Sequence, residues 1–126
     1  MVQSLNTTVN YSVKATSYLG FATYGDMLLG NHAIEFYNEK NTNDFIQIPW
    51  REIDRIIVSV MFKGKWIPRF SIVTKQAGTY TFSTRDNKQV IKTVNKYLSK
   101  SQFYRSLSFI ETLKSGIRVI VARFHQ

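Results

Sequence analysis

The sequence predicts a mainly-β α+β domain: a seven-stranded antiparallel barrel or sandwich capped by one helix, with a helical C-terminal extension. Three observations predict it. The first two-thirds of the chain breaks into short segments rich in β-branched and aromatic residues. Turn residues separate them at close spacing (Gly20, Gly25-Asp26, Gly30-Asn31, Lys63-Gly64-Lys65, Ala77-Gly78), so hairpins and antiparallel pairing are expected. After Asp86 the apolar period changes from two to between three and four. At 126 residues the chain is one domain. Residues 1–99 are expected to form the β unit with its capping helix at 86–98, and residues 100–126 an amphipathic extension of the same compact unit.

Each element has its own reason. Val9, Tyr11, Val13 and Ala15 alternate with Asn10, Ser12, Lys14 and Thr16, the period of a half-buried strand. Ala33–Tyr37 and Phe45–Ile48 are strands around a polar turn over 38–43. Ile53–Phe62 is expected to be central, with Ile56, Val58, Val60 and Phe62 on one face and Ile57 and Met61 on the other. Ile67–Thr74 returns; its Pro68 belongs at the strand start or on an edge, because proline donates no ladder hydrogen bond. Thr79, Thr81 and Ser83 alternate with Tyr80 and Phe82. Asp86 caps the helix, with Gln89 three residues later. Val90, Ile91, Val94, Tyr97 and Leu98 form its apolar stripe; Asn87, Lys88, Gln89, Lys92, Asn95 and Lys96 are expected on its wet side. From Phe103 onward Leu107, Ile110, Leu113, Ile117, Val121 and Phe124 again fall on one helical face, although β-branched residues at 117–121 also allow a strand over 117–124. Seven strands followed by a helix is the order of the pleckstrin-homology architecture, and Ile48-Pro49-Trp50-Arg51-Glu52-Ile53-Asp54-Arg55-Ile56 resembles the entry to a middle strand in bacterial members of that superfold.

Composition excludes several chemistries. There is no cysteine, hence no disulfide framework, cysteine nucleophile or thiolate metal site. His32 and His125 are the only histidines, too few for a zinc site or a Ser-His-Asp machine. Gly20 and Gly25 have phosphate-loop spacing, but Asp26-Met27 follows where Lys-Ser/Thr is needed. Glu52 and Asp54 adjoin Arg51 and Arg55 and read as ion pairs rather than as an acid held protonated. No catalytic residue, metal or cofactor is therefore expected. No apolar run approaches bilayer length and no targeting signal opens the chain, so a cytoplasmic protein is expected, with peripheral attachment to the inner face of the cell membrane as a further possibility.

The net charge is +9, and it is one-sided: residues 1–62 hold four basic and six acidic groups, residues 63–126 hold 13 and two. Such a field favours an anionic partner. The sharpest local feature is the hairpin over 62–69. Lys63, Lys65 and Arg69 surround Trp66, a composition suited to a membrane interface or to an interface with a protein. The competing reading makes Trp66 a core residue with charges nearby. Lys114, Arg118 and Arg123, beside the second apolar stripe, would support the contact. Nucleic acid is a further candidate partner, although no helix-turn-helix with a base-reading second helix is evident.

Several runs carry a family resemblance. Met1-Val2-Gln3-Ser4-Leu5-Asn6, Thr16-Ser17-Tyr18-Leu19-Gly20, Ile46-Gln47-Ile48-Pro49-Trp50, Val60-Met61-Phe62-Lys63-Gly64-Lys65-Trp66-Ile67-Pro68-Arg69-Phe70 and Arg105-Ser106-Leu107-Ser108-Phe109 resemble the DUF956 family of small bacterial proteins. The resemblance spans nearly the whole chain and is weakest beyond Gly116. That family is encoded beside the mannose-type sugar phosphotransferase permease and carries the label of a mannose-operon regulator. The resemblance thus implies a non-enzymatic accessory protein on the cytoplasmic face of the permease or the adjacent membrane, with a DNA-binding regulator of the operon as the alternative. It implies no catalytic residues.

Overall fold

A computed structural model describes residues 3–62 and 65–107. Eight strands form one sheet: β1 (Val9–Ser17), β2 (Thr23–Gly30), β3 (Ala33–Asn38), β4 (Phe45–Pro49), β5 (Ile53–Met61), β6 (Trp66–Thr74), β7 (Thr79–Thr84) and β8 (Phe103–Leu107). One α-helix, α1 (Asn87–Val94), lies between β7 and β8. The fold is mainly β with a single helix among the described residues. The order across the sheet is β4-β3-β2-β1-β7-β6-β5-β8. All pairs are antiparallel except β5 with β8.

Alternation works as expected along β1, where Ala15 and Ser17 are buried while Lys14 faces solvent. There Lys14 pairs with Asp26 at 2.9 Å, and that hydrogen bond holds the ammonium pKa above its ordinary value. Gly25 and Gly30 are required by close approach rather than by backbone angle. A Cβ at Gly25 would meet the Tyr37 carbonyl oxygen at 1.9 Å, and one at Gly30 would meet the Asn6 side chain at 2.3 Å.

Phe36, Phe82 and Phe70 join the two halves of the sheet. Phe82 packs against Phe36 at 5.7 Å and against Phe70 at 6.1 Å between ring centroids. Trp50, on a short 3-10 turn over Trp50–Glu52, stacks on Tyr97 at 4.5 Å and donates its indole N–H to the Gly30 carbonyl at 2.9 Å. Tyr97 follows α1, so this stack ties the helix end to the β2–β3 turn.

Asp86 caps α1: its carboxylate accepts from the Gln89 N–H at 3.1 Å. Asp86→Ala should therefore lower stability by about 1 kcal/mol, read as a small drop in the urea midpoint with an unchanged denaturant slope. Val90, Val94 and Leu98 are buried and Lys88, Lys92 and Lys96 exposed, as the stripe requires. Asn87 is not on the wet side. It is buried, its Oδ1 accepts from the Thr84 N–H (2.8 Å) and hydroxyl (2.7 Å), and its amide donates to the Ile67 carbonyl at 2.7 Å.

The structure corrects the expected architecture in three places. Among the described residues the sheet is open, with β4 and β8 at its edges, and has eight strands instead of a closed seven. Phe103–Leu107, expected to begin a helix, is strand β8, in parallel register with Ile56–Val60. Apolar residues three and four apart suit a helix, yet the β5 edge offers a row of backbone groups that need partners. Five residues opening on Phe-Tyr meet that need with good strand propensity. Third, Phe62 does not share a face with Val60. The register shifts between Ser59 and Met61, so Val60 and Met61 are both buried and Phe62 turns outward with φ +52°. Pro68 stands opposite this irregularity, before the β6–β7 ladder starts at Phe70, where a missing N–H is tolerated. The extension beyond residue 107, including 117–124, lies outside the described residues.

Candidate functional site

The stretch between β5 and β6 includes Lys63 and Gly64, which lie outside the described residues. The Lys65 N–H donates to the Phe62 carbonyl at 3.2 Å, closing the turn. Trp66 is 51% exposed and Phe62 52%, and their rings stack at 6.1 Å with planes 19° apart. Trp66 is thus not a core residue: the indole stands on the surface with a second aromatic as its only ring partner among the described residues. Lys65 and Arg69 are exposed as well, and neither is ion-paired within the described residues. Lys65 immediately precedes β6, and Trp66 and Arg69 lie in the first half of that strand; all three are exposed. Lys63, Lys114, Arg118 and Arg123 lie outside the described residues.

This arrangement suits adhesion. Two stacked, exposed rings, with exposed cations close by in the chain that are not ion-paired among the described residues, have the composition of interface hot spots and of interfacial aromatic belts. Phe62 went unrecognised in the sequence because period two assigned it to the β5 core face; Lys63-Gly64, a turn beginning one residue later, was the available signal.

A second exposed apolar feature lies elsewhere. The β1–β2 turn carries Tyr18, Leu19 and Phe21, the last 91% exposed, with Gly20 at φ +74°. The Tyr18 N–H donates to the Thr81 carbonyl, so the turn leaves the sheet beyond the Ser17–Phe82–Phe70 row, on the side of that row away from Trp66. The uncharged run from Ala15 to Gly25 was its sequence signal.

Among the described residues the acid and imidazole groups do not converge. His32 is exposed, its N–H bonded to Asn6 Oδ1 at 2.8 Å. Asp54 pairs with Arg55 at 2.5 Å, and Glu52 lies 4.0 Å from Arg51, in line with an ion-pair reading. Tyr37, whose hydroxyl pKa is raised chiefly by burial, accepts from Gln47 at 3.0 Å within the β3–β4 pair, remote from the β5–β6 turn. Among the described residues no three His, Asp or Glu side chains gather as metal ligands would, and no helix is long and apolar enough to cross a membrane.

Comparison with solved structures finds a likeness to the crystal structure of the C-terminal domain of an unknown protein from Leishmania infantum, with TM-score 0.62 and 17% identity over 71% of this chain and 83% of that one. At such identity the likeness concerns the fold alone. No curated protein matches. Residues 1–117 match the family described as a domain of unknown function, DUF956, and the chain belongs to that family.

Proposed function

We propose that the protein is a non-enzymatic accessory or regulatory module of a mannose-type sugar phosphotransferase system. In this reading it docks through the β5–β6 turn on the cytoplasmic face of the permease or on the anionic membrane beside it. The observation that carries the docking half is the exposed Phe62–Trp66 stack, with Lys65 and Arg69 exposed close by in the chain and not ion-paired among the described residues. The transport half rests on the family resemblance. The fold is read as pleckstrin-homology-like: two consecutive antiparallel runs, β1–β4 and β5–β7, followed by a helix, with β8 as an addition.

Fractionation of cells with and without the permease tests the reading, with recovery in the membrane fraction dependent on the permease as the expected result. The combined variant Lys65→Ala, Trp66→Ala, Arg69→Ala should reduce that recovery by about tenfold or more. Its thermal midpoint should barely move, because all three side chains are exposed. Intact recovery in the variant would transfer the contact to another surface.

DNA binding is the second reading, favoured by the exposed Lys88 and Lys92 on α1 and Lys96 just beyond its end. Against it, α1 has no helical partner among the described residues with which to form a helix-turn-helix. A gel shift at two salt concentrations decides: phosphate contacts require a shift at low salt that weakens steeply as salt rises.

A further inference from the structure

We propose that the groove between α1 and the β5–β8 edge binds a single-chain amphiphile with an anionic head. The groove follows from how the helix sits. α1 packs chiefly on β6 and β7, while β8 extends the sheet beyond β5, so the inner face of β5 is left between the two. Val58 and Val60 form the floor, with Ile91 of α1 and Phe103 of β8 as walls. The space is about 390 Å³, within the usual range for sites that hold small ligands.

Three elements each send one cation to the rim: Lys92 from α1, Lys100 from the short turn before β8, and Arg105 from β8 itself. All three are exposed, and among the described residues none is ion-paired and no acidic residue lines the groove. An apolar trough with a one-sided cationic mouth matches a molecule with an apolar tail and a negatively charged end. Other occupants fit less well. A nucleic-acid backbone has no tail for the floor. A second copy of this chain would bring its own +9 charge. Residues 108–126 would add Lys114, Arg118 and Arg123 against a single Glu111.

Carboxylate and phosphate heads share this chemistry, and a titration of the full-length protein separates them. Myristate, 1-myristoyl lysophosphatidate and neutral monomyristoylglycerol are each added below their micelle-forming concentrations while the Ile and Val methyl resonances are followed by NMR. Saturable shifts at Val58, Val60 and Ile91 are expected with at least one of the two anionic ligands, the tighter one identifying the head. Monomyristoylglycerol should bind about tenfold more weakly or worse, and Lys100→Glu with Arg105→Glu should weaken the anionic ligand by about tenfold. Lys92→Glu, on a different element, is the second variant should the double substitution disturb β8. Trp66→Ala should leave binding unchanged, which separates this site from the β5–β6 turn and from the docking role given to it. Absence of saturable shifts at those methyls, equal affinity for the neutral ligand, indifference to charge reversal, or loss of binding in Trp66→Ala would each overturn the proposal.

Discussion

Phe82→Ala is expected to remove about 3–5 kcal/mol of stability, the range for truncating a buried phenylalanine that its neighbours cannot replace. Phe82 is 1% exposed and lies where the two halves of the sheet meet. Its ladder partner on one side is Ser17 of β1 and on the other Phe70 of β6, and its ring also reaches Phe36 of β3. Collapse of the resulting cavity would have to move three strands at once, so little relaxation is available. A domain of this size is stable by only about 5–15 kcal/mol, so the variant should sit close to its unfolding midpoint at moderate urea. Phe82→Leu, which keeps most of the volume, should lose much less. Equilibrium urea denaturation measures both; a loss below about 1 kcal/mol for Phe82→Ala would mean that the two halves are not coupled through this ring.

Glu35→Ala should cost about 2–3 kcal/mol by a different route. Glu35 is 1% exposed. Its carboxylate accepts from the Ser4 hydroxyl at 2.6 Å, the Leu5 N–H at 2.7 Å and the Asn6 amide at 3.2 Å. Asn6 in turn accepts from the His32 and Ala33 N–H groups, both at 2.8 Å, and donates to the Ala33 carbonyl at 3.1 Å. The segment before β1 is thus held to β3 by a polar clasp centred on one carboxylate. Loss of that carboxylate should free the segment, so hydrogen exchange at the Leu5 amide should accelerate more than exchange in β3. Glu35→Gln should fall between wild type and alanine, since an amide keeps one acceptor but turns a donor toward groups that are themselves donors. Unchanged Leu5 exchange in Glu35→Ala would assign the hold to Asn6 alone.

Sequence patterning revealed the strands that alternate and the helix that is capped, because each is fixed by residues within a few positions of one another. Asp86 and Gln89, or Val9 through Ala15, carry their own instructions. What patterning missed depends on partners far away in the chain. Phe103–Leu107 is a strand because β5, some 47 positions earlier by register, presents an open edge. Phe62 turns outward because one irregularity near Ser59–Met61 resets the alternation. Asn87 is buried because Thr84 and the Ile67 carbonyl take its hydrogen bonds. Glu35 lies in the expected strand Ala33–Tyr37, but its burial depends on the return of Ser4–Asn6 across β3. For the β5–β6 turn, the cluster of Lys65, Trp66 and Arg69 was legible as composition; the Phe62 ring beneath the indole needed the fold.

The pairing of β8 with β5 has a consequence for how the polypeptide is made. β5 leaves the ribosome well before β8, and in the interval its free side can be satisfied only by water or by a neighbouring molecule. Nascent chains stalled short of residue 103 should therefore self-associate, whereas chains long enough for residues 103–107 to clear the exit tunnel should not.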